Sequence, residues 1–342
     1  MTAAQAGTQG ATLRSLYDVL LLDLDGTVYR GAEVVPGARE AVADTDSRVL
    51  YVTNNASRRP GEVAQHLRDL GFPAQPADVV TSSQSAARLL AQRIPAGSPV
   101  LVVGTDALAE EVAGVGLTPV RTADADPVAV VQGHSPETGW AILAEATLAI
   151  RAGALWIATN VDSTLPTERG LVLGNGSMVA AVRSATGAEP VVAGKPAAPL
   201  LADAITRGSA TRPLVVGDRL DTDIEGANAV GADSLLVLTG VSTVADLLRA
   251  PVAQRPTYVA SSLGCLDVAA TALRVSARGP WPVSFDDGDL HLGGPGPAST
   301  GDAPMEALRC ILDIAWANPG FGRIVATDDA ARAVLAAWGP VH

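Results

Sequence analysis

The sequence predicts an α/β protein built on a doubly wound parallel sheet. An alternation predicts it. Short apolar runs at residues 19–22, 49–52, 100–103, 128–131, 155–158, 191–193, 214–216, 235–238 and 258–260 are separated, for the most part, by stretches with helical patterning. Near-continuous Val, Leu and Ile in such short runs is the mark of strands buried on both faces. The composition agrees. The chain has 342 residues, of which 48% are hydrophobic and 18% charged, enough for a sizeable core and two or three domains. Several runs also end in polar residues, and open α/β sheets place ligand chemistry at the carboxyl ends of their strands.

The first run, residues 19–22, leads into Asp23-Leu24-Asp25-Gly26-Thr27. A turn at 34–37 and a helix at 38–46 follow, then the 49–52 strand, which ends in Thr53-Asn54-Asn55. A helix is expected over 60–70, with Pro60 in its first turn and Gly71 past its end. Another spans 82–92, and 95–99 reads as a linker. Residues 100–187 hold a second alternating set: strands at 100–103, 128–131 and 155–158, helices at 107–112, 138–152 and 178–187, and a long polar stretch over 160–176. The run 191–193 delivers Gly194-Lys195-Pro196, before a helix at 199–207. The run 214–216 delivers Gly217-Asp218, and Asp221 is expected to cap a helix running to Val230. Beyond residue 262, helices are expected at 263–275, 305–316 and 326–338. A hairpin of 281–285 with 289–292 is expected around Asp287-Gly288. Residues 293–301 are rich in Gly and Pro.

Asp23 and Asp25 lie two apart at a strand end, so both carboxylates can face one site. Close carboxylates repel unless a cation or a shared proton relieves them. An oxygen-only donor set suits Mg²⁺, which binds one or two carboxylates plus a phosphate. Gly26 and Thr27 offer backbone N–H groups and a hydroxyl to an anion. Thr53 adds a hydroxyl without charge. Lys195 is the only lysine in the chain, and a mobile point charge suits a phosphoryl group in transfer. Asp218 suits a third metal carboxylate, with Asp223 behind it as support.

These pieces, in this order, resemble the four motifs of the haloacid dehalogenase-like phosphatases. The resemblance covers residues 18–260. It implies that Asp23 attacks phosphorus and becomes an aspartyl phosphate, and that Asp25 serves as general acid and then general base. It implies Mg²⁺ held by the Asp23 carboxylate, the Asp25 main-chain carbonyl and Asp218. Thr53, Lys195, Asn54 and Asn55 are expected on the phosphoryl group or the substrate. Asp25 and Thr53 are 28 positions apart, too few for an inserted domain, whereas Thr53 and Lys195 are 142 apart. The second α/β unit fits that interval, as in the type IIA cap arrangement. The domains expected are thus a disordered N-terminus over 1–17, a catalytic core of 18–92 with 191–261, a cap over 93–190, and a small α+β extension over 262–342. The cap should set substrate choice, first through residues 160–168. The substrate implied is a small phosphorylated metabolite, glycerol 3-phosphate before phosphoglycolate, a nucleotide or pyridoxal phosphate. A phosphometabolite sensor acting through the tail is the rival reading.

The net charge is −12, and no basic face is evident, which argues against nucleic acid and anionic membranes as partners. No apolar run is long enough to span a bilayer, and residues 1–9 lack the charged start and apolar middle of a signal peptide. The two cysteines, Cys265 and Cys310, form no metal or disulfide pattern. Two buried thiols in the cytoplasm is the expectation. Packing or homo-oligomerisation is the expected task of the tail.

Overall fold

The computed structural model describes residues 10–43, 47–167, 169–296 and 302–341. The fold is α/β. Two compact units are formed, one of Met1–Val49 with Ala210–His342 and one of Leu50–Ser209.

In the first unit, four parallel strands lie in the order Tyr258–Ala260, Asp233–Val237, Pro213–Gly217, Val19–Leu22. Leu20, Leu21 and Leu22 are fully buried, as a strand covered on both faces requires. The helix Ala303–Ala317 packs Leu308, Ile311 and Leu312 against Leu236 and Val259 of this sheet. Each such fully buried leucine contributes about 2 kcal/mol. Arg309 on the same helix is buried but satisfied, donating to the carbonyls of Val259 (2.8 Å) and Ala272 (2.9 Å). The tail hairpin forms as expected. Val283–Asp286 pairs with Asp289–Leu292, and the two-residue turn has positive φ at both Asp287 (47°) and Gly288 (81°), the I′ geometry that Asp-Gly favours. Ile324–Ala326 adds in parallel to Asp289–Leu292, and the last helix is Asp329–Trp338.

Two expectations fail together here. The helix expected over 263–275 is broken into a 3₁₀ segment, Leu263–Asp267, and a single turn, Ala270–Leu273. The disordered N-terminus expected over 1–17 is ordered from residue 10 onward: Arg14–Leu16 is a 3₁₀ turn and Leu13 is fully buried. The two share one cause. The Leu13 N–H donates to the Val268 carbonyl (2.9 Å) and the Ala270 N–H to that of Ala11 (3.1 Å). Main-chain groups that a continuous helix would have used are spent on pairing with the N-terminal segment. Residues 1–9 lie outside the described residues. So do 44–46 of the helix expected over 38–46, which is formed over Ala38–Ala43, and 297–301 of the Gly/Pro-rich patch.

In the second unit, the Tyr51–Thr53 end of the strand Arg48–Thr53 pairs in parallel with Val79–Thr81. A separate five-stranded parallel sheet has the order Val191–Val192, Leu155–Ala158, Ala129–Gln132, Pro99–Val103, Thr118–Val120. Its strands alternate cleanly. Val100, Val102, Val131 and Ile157 face the helices Ser82–Ala91 and Asp106–Gly114. Leu101, Val103, Val130 and Trp156 face Trp140–Arg151 and Asn175–Thr186. Helices on both faces make it doubly wound. The polar stretch 160–176 contains an antiparallel hairpin, Thr164–Thr167 with Gly170–Leu173, which the sequence reading lacked. Residue 168 at its turn lies outside the described residues.

Candidate active site

Asp23 and Asp218 leave adjacent parallel strands side by side. Leu22 is in register with Val216, and the Asp23 N–H donates to the Val216 carbonyl at 2.9 Å. Each aspartate is the first residue past its strand, so the sheet itself sets their spacing. Asp223 joins them. Carboxylate oxygens of Asp23, Asp218 and Asp223 lie within 4.8 Å of one another. Asp218 and Asp223 are buried and Asp23 is half-buried.

The surroundings hold this group tightly. The Val241 N–H donates to Asp218 Oδ2 (2.7 Å), and the Arg219 N–H donates to Asp223 Oδ2 (3.1 Å). Glycines leave room for the carboxylates. A Cβ at Gly26, where φ is +87°, would lie 2.5 Å from Asp218 Oδ2, and a Cβ at Gly240 would overlap the same oxygen. A Cβ at Gly217 would overlap Asp223. Three carboxylates at this separation in a buried setting repel strongly unless a cation or protons compensate. Hard oxygen donors only, with no imidazole or thiolate among them, fit Mg²⁺.

The Asp25 carboxylate is not one of these three. It is exposed, on the tight turn that Gly26 closes by donating to the Tyr29 carbonyl (2.8 Å). The Thr239 hydroxyl donates to the Gly26 carbonyl (2.6 Å), fixing the same turn. Asp221 does not cap the following helix, as the sequence led us to expect. Arg219 occupies the cap position, and the turn opens as a wide π-type segment, Leu220–Ile224. The Asp221 carboxylate instead accepts from Arg219 Nε (3.0 Å) and Nη2 (2.8 Å). That pairing holds its pKa below the usual carboxylate value.

The second unit gathers Thr53, Asn54, Asn55 and Lys195. Thr53 ends its strand, buried, and its Oγ1 accepts from the Asn55 N–H (3.1 Å). Asn54 clamps the main chain of Lys195 from both sides. Its Oδ1 accepts from the Lys195 N–H (2.8 Å), and its Nδ2 donates to the Lys195 carbonyl (3.0 Å). Gly194 makes this possible, since a Cβ there would lie 2.6 Å from Asn54 Oδ1 and from the Thr159 carbonyl. Lys195 itself is 2% exposed, and its Nζ donates to the Val52 carbonyl (3.2 Å). Asn55 Oδ1 accepts from the N–H and hydroxyl of Ser57, both at 2.8 Å. Asn160, not singled out as a site residue, braces the clamp by donating from Nδ2 to the Asn54 carbonyl (2.7 Å). Nothing in the local sequence marks it for that role.

Comparison with known proteins decides the family. Residues 20–118 match a model of haloacid dehalogenase-like hydrolases, and residues 192–266 match a second, HAD-hydrolase-like model. The chain belongs to the haloacid dehalogenase-like hydrolases. This haloacid dehalogenase-like chain is 51% identical to the D-glycerol 3-phosphate phosphatase of Mycobacterium tuberculosis over 331 residues, 94% of each chain. It is 36% identical to an acid sugar phosphatase of Staphylococcus aureus over 247 residues, 71% of this chain and 93% of the other. Among solved structures, a glycerol phosphate phosphatase from M. tuberculosis in complex with magnesium superposes with a TM-score of 0.93, covering 96% of this chain and 99% of that one. A 4-nitrophenylphosphatase from Thermotoga maritima gives 0.69 at 31% identity, covering 76% and 100%.

Proposed function

We propose that the chain is a Mg²⁺-dependent phosphomonoesterase that hydrolyses glycerol 3-phosphate through an aspartyl-phosphate intermediate. The observation that carries the reading is the group formed by Asp23 and Asp218, at the ends of adjacent strands, with Asp223 from the turn that follows. The 51% identity to a D-glycerol 3-phosphate phosphatase over nearly the whole chain supports the substrate.

Asp23 is the nucleophile. The carboxylate oxygen attacks phosphorus in line and the ester oxygen departs. Asp25, exposed on its turn, donates the proton that the leaving alkoxide needs, then takes one from the water that hydrolyses the aspartyl phosphate. Asp23, the Asp25 main-chain carbonyl and Asp218 would hold Mg²⁺, with Asp223 supporting them. Bound there, the ion supplies positive charge to the transferring phosphoryl oxygens. Lys195 and the Thr53 hydroxyl act on the same phosphoryl group. Asn54 is spent on the Lys195 main chain, so on this reading it positions the lysine, and Asn55 orders the loop beside Thr53. The region from Asn160 onward sets substrate choice.

A panel of phosphomonoesters tests the substrate. Phosphate release should give the highest kcat/KM with glycerol 3-phosphate, ahead of phosphoglycolate, pyridoxal phosphate and nucleoside monophosphates. Preference for another member overturns the substrate, and ligand binding without turnover overturns the enzyme. Gly240→Ala tests the metal site. The added methyl pushes on Asp218, so the Mg²⁺ concentration for half-maximal activity should rise about tenfold. An unchanged Mg²⁺ requirement would remove Asp218 from the metal site.

The described residues contain no helix long and apolar enough to cross a membrane. Cys265 and Cys310 are buried free thiols, and burial pushes Cys265 up to about 12. Such thiols agree with a reducing, cytoplasmic setting.

A further inference from the structure

We infer that Asp162 is a positioning residue for Lys195, acting through the side-chain amide of Asn54, a role that rests on the reading of Lys195 at the phosphoryl group. The Asn54 amide has to face one way. Its oxygen accepts from the Lys195 N–H (2.8 Å) and its nitrogen donates to the Lys195 carbonyl (3.0 Å). Turned over, it would set oxygen against oxygen and N–H against N–H, and both bonds would be lost. Asp162 supplies the bias. The Asn54 nitrogen also donates to the two Asp162 carboxylate oxygens, at 3.3 and 3.4 Å. A carboxylate only accepts, so it draws the amide nitrogen and repels the amide oxygen. It thereby selects the orientation in which Asn54 can hold Lys195.

Asp162 is itself held from both ends of the hairpin formed by Thr164–Thr167 and Gly170–Leu173. Its N–H donates to Asn160 Oδ1 (3.3 Å), the same side chain whose Nδ2 donates to the Asn54 carbonyl. The Asp162 carbonyl accepts from the Gly176 N–H (2.8 Å). Asn175 Nδ2 donates to the Asn160 carbonyl (2.7 Å). Asn160 and Asn175 are buried, and Asp162 is half-buried. Two glycines permit this closure. A Cβ at Gly174 would overlap the Asp162 carbonyl, and one at Gly176 the Val161 carbonyl. Main-chain groups paired in this way fix where the carboxylate stands.

This task differs from substrate choice. Asp162 does not line the apolar cavity that Leu165, Val172, Leu173 and Met178 form beside the hairpin. Its carboxylate reaches the lysine through one amide, and the lysine acts on the phosphoryl group, which every phosphomonoester shares. Losing the bias on Asn54 loosens both main-chain bonds to Lys195. A shift of about 1 Å in a group that acts on the transition state can cost about 10²-fold in rate. The loss should therefore fall on kcat, whatever the leaving group.

Steady-state kinetics of the intact protein at saturating Mg²⁺, with glycerol 3-phosphate and with 4-nitrophenyl phosphate, test the role. Asp162→Ala should lower kcat about tenfold, by the same factor for both esters. Asp162→Asn keeps the shape and an accepting oxygen but not the charge. It should lower kcat by about threefold, again equally, and it answers the same question if the alanine variant fails to fold. Adding Asp162→Ala to Asn54→Ala should cost nothing further, because the aspartate acts through that amide. A loss confined to one ester, a full further loss in the Asn54→Ala background, or kcat unmoved in both Asp162 variants overturns the role. Lys195→Met separates this outcome from failure of the underlying reading. Near-parental turnover in Lys195→Met removes the lysine from the chemistry, whereas an inactive Lys195→Met beside unmoved Asp162 variants removes only Asp162.

Discussion

Asp23→Asn is expected to reduce phosphate release by about 10⁴-fold or more while leaving the protein folded. The amide is close in shape to the carboxylate but has no anionic oxygen to form an acyl phosphate. The fold should survive because the substitution leaves the main-chain bond from the Asp23 N–H to the Val216 carbonyl in place. Removing one of three crowded negative charges relieves repulsion when metal is absent, so the melting temperature of the metal-free variant should equal or exceed that of the metal-free parent. A purified variant with near-parental activity would refute the nucleophile. A variant that melts well below the parent would show that Asp23 holds the structure together, and its inactivity would then say nothing about chemistry.

Thorough chelation should abolish turnover, and added Mg²⁺ should restore it. The argument is electrostatic. Asp218 and Asp223 are buried with Asp23 beside them, and the phosphoryl group brings further negative charge to the same place. Without a cation, approach of substrate to that nucleophile is opposed. The ion should also bind the folded state far better than the unfolded chain. At a hundredfold excess over its Kd it would stabilise the protein by about 2.7 kcal/mol, seen as a higher melting temperature. Full activity after chelation, or a melting temperature indifferent to Mg²⁺, would remove the metal from the reading.

Much of this was legible because the strands are short and apolar and stop abruptly at polar residues. Asp23 and Asp218 stand out for that reason, and their adjacency follows once the strands pair in parallel. Other features depend on partners remote in sequence. Asp221 has the identity of a helix cap, but no local pattern shows that Arg219 claims its carboxylate. The 263–275 region carries helical periodicity, yet main-chain bonds to residues 11–13 interrupt it. The Thr164–Leu173 hairpin was missed because Gly170–Leu173 is exposed throughout and so carries no inside–outside alternation. The role of Asn54 as a clamp on Lys195 crosses 141 positions, beyond any spacing rule.

The solitary lysine has a practical side. With Lys195 2% exposed and every other basic side chain of the Lys/Arg class an arginine, amine-directed chemistry on the native protein finds no exposed lysine. Reagents that acylate lysine would therefore leave the folded molecule largely unmarked. Acylation at Lys195 would in turn report that its buried shelter had opened.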